Sequence, residues 1–241
     1  MSILERDNWT TQADLVISDI YEYDMRRGGL SIIKEKKLLS DEEISKLESM
    51  AKHDADVTIG KMERINDTLR DGKKNGFTEY RLLFGELNEL TDDDIISVKK
   101  DAIFCRKYCP NNKIGTYIEF REKNHYDAFL QLPRPNKLEL YWDSDTDNID
   151  VKGIIEKKVE LHKDYMLKEI SRVIRKLATY DTIGAQKELV KFMNEYKFGR
   201  LQPNYYRQLN PDSTLLIDNG EFDKTFNYLN VLIPLLNIIM S

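Results

Sequence analysis

Apolar and polar positions alternate in two stretches of the chain and fall at helical spacing in the others. β-Branched and aromatic residues dominate Leu15 to Asp24, which predicts a strand. A helix is expected around Gly29 to Lys37. Ser40 followed by Glu43 forms a capping box, which predicts a second helix running to about Lys52. Further helices are expected over Thr58 to Arg70, closed by Asp71-Gly72, and over Thr78 to Leu90, where Tyr80, Leu83, Phe84, Leu87 and Leu90 share a face. In DIISVKKDAIF, Asp94 to Phe104, two β-branched runs flank Lys99-Lys100-Asp101 and read as a tight hairpin with an acid near its tip. Alternation returns from Gly115 to Gly153, in TYIEF, AFLQL, LELYW and IDVKG. Helix follows from about Ile155 to Thr179 and from Ile183 to Tyr196. The most apolar segment, Tyr228 to Met240, is too short to span a bilayer and is interrupted by Pro234. It reads as a core element or as the interface for a homodimer or partner subunit.

Composition narrows the class. At 241 residues, 41% hydrophobic and 33% charged, the chain is globular and large enough for one big domain or two small ones. Its net charge of -5 means that any nucleic-acid contact must come from a local basic face. Cys105 and Cys109 have no further Cys or nearby His at ligand spacing, so a zinc site is not expected. Reduced thiols fit a cytoplasmic protein, in the host cytoplasm if the source is viral. The N-terminus lacks the basic start and apolar core of a signal peptide, and no membrane role is expected. No phosphate-binding glycine motif of the P-loop or Rossmann kind is present.

The chemistry centres on two acids. Asp24 ends a strand and precedes a Gly-Gly turn, and Asp101 stands near a hairpin tip. Carboxylates on neighbouring strands would make a two-ion site. Mg2+ (or Mn2+) takes carboxylate oxygens together with substrate phosphates, and paired ions roughly 3.5 to 4 Å apart serve in-line phosphoryl displacement. The plainer readings are that Asp24 caps the next helix and Asp101 is turn material.

In order along the chain, these segments resemble the palm and thumb of a family B DNA polymerase. That family's first palm motif is an aspartate, two variable residues and Ser-Leu-Tyr-Pro-Ser-Ile; here Asp24 leads to Leu30, Ser31 and Ile32 through Met25, Arg26, Arg27, Gly28 and Gly29. Its second motif, Asp-Thr-Asp-Ser on a hairpin, is similar to KKDAIF, with Asp101 as the second aspartate and Lys99 in place of the first. KIGTYIEFREKNHYDAFLQL resembles the strands after that hairpin, and NKLELYW followed by IDVKGI resembles the lysine-tyrosine strand and the step into the thumb. The likeness spans roughly Asp19 to Lys176.

The resemblance implies an α+β fold: an antiparallel palm sheet over residues 1–153 with a short helical fingers insertion at about 38–90, and a helical thumb-like region over 154–241. It implies template-directed nucleotidyl transfer on primer-template nucleic acid and nucleoside triphosphates, with Asp24 and Asp101 as the metal ligands. Lys61, Arg64, Arg26 and Arg27 would meet the triphosphate. Gly29 stands where the family places a tyrosine under the incoming sugar, so ribonucleotides would be admitted, as in a primase or small RNA polymerase. Lys137, Tyr141, Lys152, Lys163 and Arg172 would follow the nucleic acid. The literal Asp145-Thr146-Asp147 competes with KKDAIF as the second motif, although such runs are ordinary turn material. Lys99 and the missing Leu-Tyr-Pro segment favour a rival reading, a catalytically inactive nucleic-acid-binding or assembly subunit. A compact polymerase-like chain without an exonuclease suggests a virus or mobile element as its source.

Overall fold

The computed structural model describes residues 2–132, 138–153, 167–200, 216–217, 221–222 and 228–240. After β1 (Trp9–Thr10) and the long β2 (Leu15–Met25) come four helices, α1 (Gly28–Glu35), α2 (Asp41–Glu48), α3 (Lys52–Glu63) and α4 (Asp67–Leu87). The chain then returns to sheet through β3 (Ile95–Val98), β4 (Ala102–Cys105), β5 (Phe120–Leu132), β6 (Leu138–Asp143) and β7 (Asn148–Lys152). Next are α5 (Lys168–Ala178), α6 (Thr182–Lys197), a two-residue pair β8 (Leu216–Ile217) and β9 (Glu221–Phe222), and α7 (Tyr228–Met240). The fold is α+β, with a seven-stranded sheet ordered β1-β3-β4-β2-β5-β6-β7 and seven α-helices among the described residues. No described helix is long and apolar enough to cross a membrane. Contacts divide the chain into one unit of Met1–Thr11 with Ile20–His125 and a second of Gln12–Asp19 with Tyr126–Ser241.

In the first unit, β2, the helices α1 to α4 and β3 form a split β-α-β arrangement, because β4 lies between β2 and β3 and pairs antiparallel with both. Strand alternation turns Tyr23 and Met25 toward the helices, where they join Ile32, Phe77, Phe84 and Ile103 in one core. The Phe84 ring lies 5.2 Å from Tyr23 and 4.5 Å from Phe120, centroid to centroid. A second apolar cluster, built from Leu30, Ile33, Ile44, Leu47, Ile59 and Leu69, ties α2 and α3 to α1 and α4.

The capping box is present at α2, where Ser40 Oγ accepts from the Glu43 backbone N–H. The helix expected over Thr58 to Arg70 is instead two helices. α3 ends at Glu63, and Asn66 caps α4 by accepting from the Leu69 N–H at 2.9 Å. Gly72 does not stop a helix but lies inside α4. A Cβ there would sit 2.8 Å from Leu38 Cδ2, and one at Gly76 would sit 2.4 Å from Ile32 Cγ2. Both glycines mark close approach of α4 to its neighbours. The buried row of α4 is Phe77, Tyr80, Arg81 and Phe84, while Leu83 and Leu87 stay 39% and 47% exposed.

Arg81 is fully buried and donates to three backbone carbonyls in two segments of the chain. Nε donates to the Leu4 carbonyl at 3.1 Å, Nη2 to the Arg6 carbonyl at 3.0 Å, and Nη1 to the Lys100 carbonyl in the β3–β4 turn. Asp7 lies 3.8 Å away as counter-charge. Burial lowers the Arg81 pKa, and Asp7 and then Asp101 offset part of that effect. Nearby, Cys105 of β4 and Cys109 are unbonded and buried, with their sulphurs 4.0 Å apart.

The second unit packs Ala128, Leu130 and Leu132 of β5 and the even-numbered residues of β6, with Ile149 and Val151 of β7, against α5, α6 and α7 through Ile170, Val173, Ile174, Leu189, Phe192 and Leu235. Asp147, in the left-handed conformation at φ 51°, clasps the β6–β7 turn to α5. It accepts from Trp142 Nε1 at 3.1 Å and Ser171 Oγ at 2.6 Å, and pairs with Arg175.

Two stability outcomes follow from this packing. Gly60 lies within α3 with nothing within 4 Å of an added Cβ, so Gly60→Ala raises unfolding free energy by about 0.5–1 kcal/mol, whereas Gly76→Ala lowers it; urea titration measures both. Arg81→Leu leaves three carbonyls without donors and costs on the order of 3 kcal/mol or more, seen as a fall in the urea midpoint.

Candidate active site at the end of the long strand

Strand alternation along β2 separates two chemistries. Tyr21, Tyr23 and Met25 belong to the helix-side core. Glu22 and Asp24 alternate with them and turn to the other face. Glu22 is 2% exposed and satisfied, receiving Lys123 Nζ at 3.2 Å and Asn124 Nδ2 at 2.6 Å.

Asp24 is different. Its side chain is 16% exposed, and its charged neighbour in range is Arg121, at a loose 3.9 Å. Among the described residues, no hydrogen-bond donor reaches it. It does not cap α1, whose N-cap is Arg27, in the left-handed conformation at φ 47° and with no side-chain cap bond. Burial first, and then the charge of Asp101, raise the Asp24 carboxyl above its ordinary value, while Lys123 and Lys52 pull the other way. A half-buried carboxylate without donors, pushed toward its neutral form by burial and then by another acid, is a place where added positive charge is favourable.

Asp101 stands in the turn just before β4 and is exposed. The β2–β4 register sets Asp24 opposite Ala102, and the Met25 N–H donates to the Asp101 carbonyl at 2.8 Å. The two acids are thus offset by one residue across paired strands, near enough for the charge of Asp101 to act on Asp24. No group of three or more His, Cys, Asp or Glu side chains converges as a metal cage among the described residues. In general Mg2+ keeps several waters and is commonly held by one or two carboxylates plus substrate phosphates.

Other residues singled out in the sequence fall around this end or away from it. Arg26 is largely exposed and pairs with Glu119 at 3.3 Å, and Arg27 reaches the Met50 carbonyl at 3.5 Å. Lys61 lies in the last turn of α3 and Arg64 caps its C-terminus, both exposed. Gly29 opens α1 with an ordinary helical φ, and a Cβ there would meet Lys73 Cδ at 3.6 Å. Gly28 is the crowded position, 2.9 Å from Phe77 Cε1. Lys99 donates to Asn8 Oδ1 at 3.2 Å.

In the second unit Tyr141 is sealed in the interior, its hydroxyl donating to Glu139 at 2.8 Å. Lys152 pairs with Asp150 at 2.6 Å, and Arg172 pairs with Glu169 at 2.6 Å. Lys137 and Lys163 lie outside the described residues, as does the first part of the basic helix expected from Ile155. Of the rival acids, Asp145 is exposed in the β6–β7 turn and Asp147 is engaged structurally. Asp143 receives the Asp145 N–H and the Thr146 hydroxyl. Burial acts to raise the pKa of Asp147, but its bonds from Arg175, Ser171 and Trp142 outweigh it and hold the carboxyl below its ordinary value.

Lys52, Arg121 and Lys73 are cations near this end that the sequence did not single out. Lys52 and Arg121 act on Asp24, and Lys73 lies against Gly29 and pairs with Glu63. A helix N-terminus and an exposed alternate position of a strand were the available signals, and both are common surface features.

Comparison with known families assigns the chain as a whole. It belongs to the Bacteriophage PBS1 gene 130 protein family, which matches residues 2–232 and ties it to a bacteriophage. Comparison with curated proteins finds no match.

The raised Asp24 pKa fixes the sign of a pH effect. The folded state holds this proton more tightly than the unfolded chain, so its contribution costs stability as pH rises from the ordinary carboxylate value of 3.8 up to the raised folded value, and the cost is constant above it. Without divalent cations, Asp24→Asn is therefore more stable than wild type at pH 7, and its advantage vanishes in acid; thermal melts across that range test it.

Proposed function

We propose that this protein is a phage nucleotidyltransferase that uses divalent cations at Asp24 and Asp101 to extend a primer on a nucleic-acid template. The observation that carries the reading is the Asp24 carboxylate, largely buried, without a hydrogen-bond donor, and raised in pKa beside a second acid. The split β-α-β supports it, because β4, which starts just after Asp101, pairs with the strand that carries Asp24 next to its last residue. When bound, Mg2+ or Mn2+ would supply Lewis-acid stabilisation of the attacking hydroxyl and the leaving pyrophosphate. Asp24 and Asp101 would hold the ions. Arg26 and Arg27, just beyond the strand end, would orient the triphosphate, and the α1–α4 insertion would serve as short fingers. Gly29 leaves room at the start of α1, which supports acceptance of a 2′-hydroxyl.

Arg121, Lys123 and Lys52 favour a second reading. Three cations acting on Asp24 compete with a metal, and such a site suits a nucleic-acid-binding or assembly subunit without catalysis.

Primer extension separates the two. The catalytic reading expects Mg2+- or Mn2+-dependent incorporation, lowered by at least about a hundredfold in Asp24→Ala. Nucleic-acid binding with no incorporation under either metal selects the second reading. A comparable loss in Asp147→Asn, with Asp101→Asn unaffected, would move the second metal ligand to the β6–β7 turn.

A further inference from the structure

The first unit contains a cleft of about 270 Å³ that the two-carboxylate site does not use. Four cations line it, Arg70, Lys73, Lys74 and Lys100, against two carboxylates, Asp7 and Glu63. The cleft thus holds an excess of two positive charges in a chain of net charge -5. Three of the cations follow i, i+3, i+4 spacing along the first turns of α4, which places them on one face. Phe77, one turn farther along, lies beneath them. The fourth cation comes from the β3–β4 turn, where Lys100 Nζ lies 5.1 Å from the Phe77 ring centroid.

The existing neutralisation is uneven. Lys73, with its side chain 11% exposed, is matched to Glu63 in a nearly closed ion pair. Lys74 reaches Asp7 only at 3.6 Å, and both are well exposed. Arg70 pairs with Asp67 and Asp71 on its own helix. Lys100 faces an aromatic ring in place of a carboxylate. A multiply charged anion could replace the weak Lys74–Asp7 contact and gain Lys100 without breaking the Lys73–Glu63 pair.

We infer that this cleft binds a linear phosphate chain, pyrophosphate or triphosphate, either free or carried by a nucleoside. Arg70 and Lys74 are separated by about 6 Å along the helix axis, a span that suits linked phosphates better than one tetrahedral anion. The volume lies just below the usual range for small-molecule sites, so the phosphates enter and any nucleoside remains outside. Arg70 presents a planar fork to phosphate oxygens, and the lysines act as point charges. The inference does not require the Asp24–Asp101 pair to bind metal.

Isothermal titration of the full chain in EDTA with tripolyphosphate, pyrophosphate, orthophosphate and sulfate, at matched ionic strength, tests it. Tripolyphosphate and pyrophosphate should bind at least about tenfold more tightly than the single anions. Lys74→Ala and Lys100→Ala should each weaken tripolyphosphate binding about tenfold, and Lys46→Ala, on the exposed face of α2, should not. Both test lysines are in surface positions, and circular dichroism of each variant verifies folding. ATP binding equal to tripolyphosphate identifies the bare chain as the ligand; tighter ATP binding identifies a nucleoside triphosphate. Equal affinity for all four anions, or binding unchanged in both lysine variants, overturns the inference. Failure of metal-dependent primer extension leaves it intact, because this titration contains no metal.

Discussion

The first unit depends on the buried guanidinium of Arg81. One side chain on α4 donates to carbonyls of Leu4, Arg6 and Lys100, drawing the N-terminal segment and the β3–β4 turn onto the same helix. Removing a charge from water costs several kcal/mol, and here fixed backbone dipoles and the nearby Asp7 offset the cost. A lysine would supply the charge but not the planar set of donors that serves three directions. Both acidic and basic groups at this end inherit their places from that anchor. Asp101 follows the carbonyl held by Nη1, Lys100 bears it, and Asp7 follows the carbonyl held by Nη2.

The same end of the molecule carries opposite electrostatic preferences a short distance apart. Asp24 is a carboxylate lacking donors and favours positive charge, while the cleft along α4 carries excess positive charge. The hairpin turn contributes to both through adjacent residues, Lys100 and Asp101. Sheet pairing holds the carboxylates and helix packing positions most of the cations, so the two sets rest on different interactions.

Much of the architecture was legible because it follows local rules. Alternation marked β2 and the strands from β5 to β7, and Ser40 with Glu43 marked the start of α2. The hairpin around Lys99-Lys100-Asp101 was readable from two β-branched runs. What failed was the meaning of glycine. Gly72 reads locally as a stop, but α4 continues through it because Leu38 occupies the space a side chain would fill. Arg81 was equally hidden, since an arginine in an apolar helical row has the same spacing whether it snorkels to water or is buried. Both acids were singled out from their order along the chain, but the one-residue offset between them across β2 and β4 was not legible, and the cations on Asp24 come from segments far away in sequence. Tyr141 shows the converse limit: an aromatic in an alternating strand does not reveal which face is covered, and this one is interior.

Cys105 and Cys109 provide a reporter of motion at the far end of β4 from Asp101. Their hydrogen-bonded contact and burial push the Cys105 thiol upward, suppressing the nucleophilic thiolate in the closed state. Cys105 belongs to β4, the strand that begins beside Asp101 and is hydrogen-bonded on both edges. An alkylating reagent reaches its sulphur only when that strand separates from a neighbour, so labelling kinetics would clock the transient opening of the hairpin itself.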